Sequence, residues 1–257
     1  MMTVFTITSH GYDIIWKKCI YSQKAYCERH GYTYHHIHLS STLTPDTTAW
    51  MKLHFLRLFL IKARNFDTDT RWQDIKKPQR VMYIDADCEI NDSCPDITSL
   101  EQSGKSLFVA PWFSGRINSG VLIARDDPKA IDLISLTIDN RKISLPDSDQ
   151  VWRVYGGGEN GHVIHYRKDH PIVQLIDQKW NNNHTVQLDD YIRHYSAGGP
   201  MRALYSMDSA SKIAWYTMMI YTYWIKILRK IRLIQPYDKV QQPDGEEIVQ
   251  ARIQGIK

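Results

Sequence analysis

The sequence predicts an α/β fold, and two observations carry that prediction. The β-branched run at residues 3–8 is followed by a helical stretch at 12–29 and then by the run GYTYHHIHL, in the order strand, helix, strand. This order opens many nucleotide-binding sheets, because the helix returns the chain for a parallel second strand. Further along, the apolar run at 81–84 ends abruptly in Asp85 and Asp87.

The later segments continue the alternation of strands and helices. Residues 44–63 carry Met51, Phe55, Leu58 and Ile61 at three- to four-residue spacing, which predicts a second helix. Periodicity and β-branched runs then predict strands at 106–112 and 118–125, a helix at 127–140, the start of a short helix at 147–156 and a loop at 156–161.

Composition narrows the class of protein. The 257 residues are long enough for a sizeable core, and 43% hydrophobic with 23% charged residues indicates a globular chain. The net charge of +4 does not favour a broad nucleic-acid-binding face. The four cysteines form no CxxC pair, and the chain begins with no signal-peptide pattern, so a reduced, cytoplasmic protein is expected.

The character of the chain changes near residue 211. We expect a catalytic domain at 1–210 and a basic, aromatic helical tail at 211–257. Within the tail, residues 211–235 combine aromatic and aliphatic side chains with the basic cluster Lys226, Arg229, Lys230 and Arg232. This pattern predicts an amphipathic helix on an anionic membrane surface, peripheral on the cytosolic face. The alternatives are a helix docked on the domain or a dimer interface.

The paired aspartates suggest a metal site. A strand that ends in Asp-x-Asp places its carboxylates at the carboxyl edge of the sheet, where ligands of open α/β sheets bind. Two carboxylates separated by Ala86 can hold Mg²⁺ or Mn²⁺, and that cation can stabilise a departing diphosphate. The ordinary alternative is that Asp85 and Asp87 merely begin a surface loop.

Four later segments strengthen the metal hypothesis through their order. They are Asn118-Ser119-Gly120 before an apolar strand, Asp149-Gln150 at a helix start, Trp180-Asn181, and His194 ahead of Gly198-Gly199. Over roughly residues 3–200 this order resembles the GT-A fold glycosyltransferases, in particular the retaining family 8 type and the Golgi galactosyl/mannosyltransferase type. The resemblance implies a single Rossmann-like domain that binds a nucleotide-sugar, followed here by the amphipathic helical tail.

The resemblance also implies roles for individual residues. Asp85, Asp87 and His194 are expected to bind Mn²⁺ or Mg²⁺, and Trp180 and Asn181 to contact a saccharide or lipid-linked glycan acceptor. A UDP-sugar is the favoured donor, with no nucleic-acid partner and no prediction of oligomeric state. Asn118, Asp149 and Gln150 are the expected catalytic residues. The expected donor-binding residues are Ser9, Tyr12, Lys52, Asp85, Ala86, Asp87, Ser119, Gly120, Gly198 and Gly199.

Each candidate also has an ordinary structural explanation. Asn118 could close a turn and Asp149 could cap a helix. Tyr12 could stack on a nucleobase or belong to the core, and Lys52 could be solvated or reach a phosphate. The family 8 pattern has Gly three residues after the histidine and then a Lys. Ala197 stands at that third position and no such Lys follows, so Arg202 is the candidate to contact the diphosphate.

Four functions remain open from the sequence. The leading one is a retaining glycosyltransferase, with Gln150 near the anomeric carbon and no dedicated base. An inverting transferase would use Asp147 or Asp149 as its general base. A haloacid-dehalogenase-type phosphatase also begins with an apolar strand and Asp-x-Asp, but Glu89 stands where that pattern wants Thr or Val. The fourth is a non-catalytic module that binds a sugar nucleotide.

Overall fold

A six-stranded mixed sheet forms the centre of the protein. The computed structural model describes residues 2–40, 43–65, 79–112, 115–149, 158–168, 170–197, 199–230 and 243–253. The strands are β1 (Met2–Thr8), β2 (Thr33–His38), β3 (Arg80–Ile84), β4 (Cys88–Ile90), β5 (Leu107–Pro111), β6 (Ile117–Arg125), β7 (Val173–Leu175) and β8 (Ile192–His194). The sheet order is β2-β1-β3-β6-β5-β7, and β4 pairs with β8 in a separate ribbon. β1 runs parallel to β2 and β3, whereas β6 is antiparallel to both β3 and β5.

Helices cover both faces of the sheet. Their bounds are α1 (Tyr12–Ile15), α2 (Lys17–His30), α3 (Pro45–Asn65), α4 (Pro128–Asp139), α5 (Gly158–Arg167), α6 (Ser209–Lys230) and α7 (Gly245–Ile253). Strand residues alternate between two hydrophobic clusters. Phe5, Val81 and Tyr83 face the cluster that includes α3, α4 and α5, whereas Val4 and Met82 face the cluster that includes α2. The central strands β1 and β3 are therefore buried on both faces, as their continuous apolar sequences require.

Most predicted elements are confirmed, with two differences, and the short helix predicted to start within 147–156 lies mostly outside the described residues. The first helix is divided at Trp16, whose backbone leaves the helical region, so α1 and α2 are separate. The stretch at 156–161 was expected to be a loop, but α5 begins at Gly158 and contains Glu159 in its first turn. The prediction of a loop was wrong there because glycine-rich sequence usually marks a turn, whereas burial of the apolar side chains of Val163 and Ile164 stabilises the helix.

The C-terminal residues form two helices with different surroundings. The first turns of α6 pack on α1 through Ser211, Ala214 and Trp215. α7 packs on α3 and buries Val249 in the core. No helix among the described residues is long and apolar enough to cross a membrane.

The sheet places three chain segments close together at one edge. β1 and β3 are parallel, so the segments that follow them, including Ser9 and Asp85, leave the sheet on the same side. β6 is antiparallel to β3, and its beginning at Ile117 therefore lies at that edge. The ribbon of β4 and β8 pairs Cys88 with His194, which brings the second half of the chain to the same place.

Candidate active site

The two aspartates after β3 are held in a fixed turn. The backbone N–H of Asp85 donates to the carbonyl of Gly120 at 2.8 Å, and the N–H of Cys88 donates to the carbonyl of Asp85 at 3.0 Å. The buried amide of Gln23 donates to the carbonyls of Asp85 and Cys88 at 3.0 and 2.8 Å. Gln23 interrupts the apolar stripe of α2, and these hydrogen bonds explain why a polar residue occupies a buried position there.

His194 faces both aspartates. Its Nε2 lies 3.2 Å from Oδ1 of Asp87 and 3.6 Å from Oδ2 of Asp85. Burial by itself lowers the pKa of His194, but the charges of Asp87 and Asp85 outweigh burial and hold that pKa above its ordinary value. The pKa of Asp87 shifts the other way. Burial raises this pKa, but His194 first and then the charge of Arg202 outweigh burial and hold it below its ordinary value.

The side chain of Asn181 fixes which nitrogen of His194 faces the aspartates. The amide nitrogen of Asn181 donates to the carbonyl of Asn118 at 2.9 Å, so its amide oxygen is left as an acceptor. That oxygen lies 2.8 Å from Nδ1 of His194, which therefore carries the proton in the neutral imidazole. The lone pair on Nε2 then points between the two carboxylates.

These residues fit a hard divalent cation. Two carboxylate oxygens and one imidazole nitrogen form a suitable donor set for Mn²⁺ or Mg²⁺. A Cβ at Gly120 would lie 2.4 Å from Cε1 of His194 and 2.8 Å from Oδ2 of Asp85, so only glycine leaves this space open. The thiol of Cys88 also lies near Asp87 and His194. Mn²⁺ and Mg²⁺ prefer carboxylate oxygen to thiolate sulfur, so Asp85 is the better third ligand.

A second charged cluster lies directly beside Asp85. The ammonium of Lys52 is 3.1 Å from Oε2 of Glu159, 3.5 Å from Oδ1 of Asp85 and 3.4 Å from Oγ of Ser119. Lys52 is only 7% exposed, so the expectation that it could be solvated was wrong. Burial lowers the pKa of Lys52, but the two carboxylates outweigh burial and hold the pKa above its ordinary value.

Arg202 lies on the other side of Asp87. One guanidinium nitrogen is 3.6 Å from Oδ2 of Asp87, and the guanidinium carbon lies 4.7 and 4.6 Å from the ring centres of Trp16 and Trp215. Burial first, and then the charge of Asp87, raise the pKa of Tyr12, and the nearby charge of Arg202 partly offsets this shift. The structure therefore brings Tyr12 and Arg202 to the aspartates.

Other predicted residues lie around this centre with different contacts. Asn118 is half-buried, and its amide oxygen accepts from the N–H of Gly120 at 2.8 Å. Ser9 is buried beside His10, at 2.9 Å between Oγ and Nδ1. Gly199 lies close to the carbonyl of Asn183, where a Cβ would be 2.9 Å from that oxygen. Gln150 and Gly198 lie outside the described residues.

The residues predicted to bind the acceptor, and the predicted catalytic residue Asp149, have surroundings that differ from those expected. Trp180 and Asn181 are 2% and 1% exposed, so neither presents its side chain to a solvent-facing acceptor in this structure. Trp180 packs edge-on against Tyr191. Asp149 pairs with His165, at 2.7 Å between Oδ2 and Nδ1. The hydrogen bond from His165 lowers the pKa of Asp149.

The sequence analysis missed two residues of the charged cluster. The side chain of Asn160 accepts from the N–H of Ser119 at 2.7 Å, and Glu159 accepts from the hydroxyl of Ser119 at 3.1 Å. Both were assigned to a loop. The available signal was an acidic residue and an Asn inside a glycine-rich run, which is compatible with the start of a helix.

Comparison with known proteins gives structural neighbours. No protein-family model matches the chain, and no curated protein matches it by sequence. A glycosyltransferase involved in the glycosylation of the major capsid of PBCV-1 aligns with a TM-score of 0.58 and 15% identity, over 83% of this chain and 98% of that chain. The chain has a GT-A glycosyltransferase fold.

A second neighbour shares this GT-A fold. The glycosyltransferase GlyE of Streptococcus pneumoniae TIGR4 aligns with a TM-score of 0.50 and 13% identity, over 93% of this chain and 65% of that chain. In this chain, Asp85 and Asp87 follow the carboxyl end of β3, and His194 lies opposite them. The expectation of a GT-A fold is confirmed, and the alternative prediction of a haloacid-dehalogenase-type protein is wrong in its fold.

Proposed function

We propose that this chain is a metal-dependent glycosyltransferase. It moves a sugar from a nucleotide-diphosphate donor, with a UDP-sugar favoured, to a saccharide hydroxyl. The observation that carries the proposal is the convergence of Asp85, Asp87 and His194 at the ligand-binding edge of a GT-A fold. A saccharide or lipid-linked glycan acceptor, as in the synthesis of a surface glycan or polysaccharide, fits this activity.

The metal-binding residues prepare the site for a charged donor. A Mn²⁺ or Mg²⁺ ion bound by Asp85, Asp87 and His194 would supply positive charge to stabilise the departing diphosphate. Asn181 keeps the proton of His194 on Nδ1, and Gly120 leaves room between His194 and Asp85. These contacts orient the ligands before the donor arrives, which reduces the cost of binding.

Arg202 supplies a second positive group for the diphosphate. Its guanidinium is stacked between Trp16 and Trp215, which fixes its plane and leaves its edge near Asp87. A planar guanidinium held in this way can donate two hydrogen bonds to one phosphate. Tyr12, near Arg202, is the residue proposed to stack on the nucleobase.

Retention of configuration is the outcome favoured by the family resemblance. The carboxylate of Asp149 is paired with His165, at 2.7 Å between Oδ2 and Nδ1, so this oxygen is already engaged in the structure and does not favour Asp149 as a general base. In the proposed retaining mechanism Asp149 and Asn118 hold the donor sugar, and Gln150, which is outside the described residues, is assigned to the anomeric carbon by the resemblance alone.

The exposed face of α6 is proposed to lie on an anionic membrane surface. Ser211, Ala214, Trp215 and Met218 pack inward, and the opposite face exposes apolar and aromatic side chains. The exposed large hydrophobic residues of α6 are Ile213, Tyr216, Met219, Ile220, Tyr221, Tyr223 and Trp224. The sequence continues with Lys226, Arg229, Lys230 and Arg232, and basic residues of this kind would attract anionic lipid by about 1 kcal/mol per charge.

Donor binding provides the first test of the transferase proposal. We expect one nucleotide-sugar from a panel to raise the melting temperature of the wild-type chain, and to do so only with Mn²⁺ or Mg²⁺ present. Asp87→Ala should remove this stabilisation and abolish transfer while the melting temperature without ligands stays close to wild type. Transfer by Asp87→Ala in excess chelator would overturn the metal mechanism.

Turnover provides the test for Asp149. Asp149→Asn should lower kcat more than it weakens donor binding, because the residue is proposed to contact the reacting sugar. Product analysis by NMR then distinguishes retention from inversion. A variant with normal turnover and lost donor affinity would place Asp149 at the nucleotide instead. Donor binding by the wild-type chain without any transfer would favour a non-catalytic binding module.

Liposome binding provides the test for α6. Truncation before α6 is unsuitable because it removes Trp215, which stacks on Arg202. Ile220→Ser combined with Trp224→Ser changes only exposed side chains and should reduce sedimentation with anionic liposomes while donor binding stays unchanged. If both proteins ignore liposomes at low salt, or if the wild type forms a dimer that these changes disrupt, the membrane proposal fails.

A further inference from the structure

Glu159 is a buried carboxylate that the proposed chemistry does not use. Its side chain is 4% exposed, and its Oε2 contacts the ammonium of Lys52 and the hydroxyl of Ser119, each at 3.1 Å. Its Oε1 is buried without a hydrogen-bond partner among the described residues. A buried, incompletely paired carboxylate costs stability. Such a cost is more readily retained at a functional site than in an ordinary core.

Lys52 is shared between Glu159 and Asp85. Its ammonium is 3.1 Å from Oε2 of Glu159 and 3.5 Å from Oδ1 of Asp85, so its shorter contact is with Glu159. The ammonium also lies 5.0 Å from the ring centre of Tyr83, whose hydroxyl donates to the same oxygen of Asp85. Lys52 and Tyr83 together occupy Oδ1 of Asp85.

The other oxygen of Asp85 faces the metal site. Its Oδ2 lies 3.6 Å from Nε2 of His194 and 2.8 Å from the position that a Cβ would take at Gly120. The two oxygens of the Asp85 carboxylate therefore have different partners. Oδ1 contacts Lys52 and Tyr83, whereas Oδ2 faces His194 and Asp87. The direction of Oδ2 depends on where Lys52 holds Oδ1.

We infer that Glu159 is a positioning residue, which keeps the ammonium of Lys52 displaced from Asp85 so that Oδ2 of Asp85 remains free for a divalent cation. If the charge of Glu159 is removed, Asp85 is the remaining carboxylate within 4 Å of the Lys52 ammonium among the described residues. The ammonium then moves toward Asp85 and competes with the cation for this carboxylate. The inference rests on the proposed function, because it concerns the metal site of the transferase.

Substitution of Glu159 tests the inference with Mn²⁺ alone, measured as free Mn²⁺ by electron paramagnetic resonance. Glu159→Gln keeps the shape and a polar contact to Ser119 but removes the charge. We expect the Kd for Mn²⁺ to rise about tenfold, as supporting contacts of metal ligands typically contribute. Glu28→Gln removes a charge from an exposed residue and is the matched control, with an unchanged Kd expected. An unchanged Kd in Glu159→Gln would overturn the inference.

A double-mutant cycle separates a positioning role from a simple loss of negative charge. In a Lys52→Met background, Glu159→Gln should change the Kd for Mn²⁺ by less than about twofold, because the residue through which Glu159 acts is gone. An equal loss in both backgrounds would mean that Glu159 acts by its field alone, and the positioning role would be wrong. If Glu159→Gln does not fold, Glu159→Asp retains the charge with a shorter reach and should raise the Kd a few-fold, and no change there would count against the inference.

The same titrations distinguish this inference from the proposed function. Wild-type binding of Mn²⁺ with no nucleotide-sugar binding would contradict the transferase proposal and leave the Glu159 result standing. Normal donor transfer with an unchanged Kd in Glu159→Gln would contradict only the inference. No binding of Mn²⁺ by the wild-type chain would overturn both.

Discussion

The imidazole of His194 meets the amide oxygen of Asn181 at 2.8 Å through Nδ1, which leaves Nε2 facing Asp85 and Asp87. Asn181 is itself fixed by its amide nitrogen, which donates to the carbonyl of Asn118. A chain of hydrogen bonds thus runs from β6 to the candidate metal ligand. Such contacts set the tautomer and the direction of a ligating histidine.

Loss of this contact should weaken metal binding. We predict that Asn181→Leu raises the Kd for Mn²⁺ about tenfold, because Nδ1 of His194 loses its acceptor and the ring loses its fixed direction. Direct removal of the ligand by His194→Ala should cost at least as much. Isothermal titration with Mn²⁺ measures both. Wild-type affinity in Asn181→Leu, with His194→Ala impaired, would show that the ring is held by other contacts.

Substitution of Gly120 should close the same site by steric exclusion. A Cβ in Gly120→Ala would lie 2.4 Å from Cε1 of His194, far inside contact distance, so His194 must move. We predict a loss of at least about tenfold in Mn²⁺ affinity, in line with the effect of displaced ligand contacts. Gly104→Ala is the control, because no atom lies within 4 Å of the added Cβ; its φ of +74° strains the backbone locally, but affinity for Mn²⁺ should stay at the wild-type value. Equal affinities in the two variants would place the metal elsewhere.

Arg202 should contribute to donor binding rather than to metal binding. We predict that Arg202→Lys lowers the affinity for UDP with Mn²⁺ about tenfold, because Lys lacks the planar group that Trp16 and Trp215 stack against. Affinity for Mn²⁺ alone should stay the same or increase slightly, since a positive charge near Asp87 moves away. Lys212→Ala on the exposed side of α6 is the control. A parallel loss of both affinities would indicate a role in holding Asp87.

Stability should fall in acid because of His54. Burial first, and then the charges of Arg57 and Arg141, lower its pKa from 6.5 to about 4. An unfolded chain takes up the proton more readily, so the stabilising contribution of His54 is fully present above pH 6.5 and is lost as pH falls toward 4. The loss should approach about 3 kcal/mol, at roughly 1.4 kcal/mol per unit of pKa difference.

Urea unfolding at pH 7 and pH 4.5 measures the contribution of His54. His54→Gln should show a smaller difference in the free energy of unfolding between the two pH values than the wild type. The exposed His38 provides the control, since His38→Gln should keep the wild-type difference. If His54→Gln also keeps it, acid sensitivity arises from other groups.

The sequence by itself determined the order of the principal strands and helices as far as α4. The buried strands β1 and β3 and the amphipathic helix α4 follow from local runs and spacing, and the abrupt end of β3 in Asp85 and Asp87 marked the ligand-binding edge. A resemblance in the order of short segments, with His194 more than 100 residues after Asp85, indicated His194 as the proposed third metal ligand. These features can be predicted from the sequence because hydrophobic periodicity is a local property of the chain and the order of segments is a linear one.

Only the tertiary structure decided which distant side chains meet. Lys52 was expected to be solvated or to reach a phosphate, but the packing of α3 against the sheet places it between Asp85 and Glu159. Gln23 looked like a defect in an apolar stripe until the fold placed two backbone carbonyls beside it. Charges and hydrogen bonds of this kind act over a few ångströms in space, so their partners can lie anywhere along the chain, and sequence spacing carries no record of them.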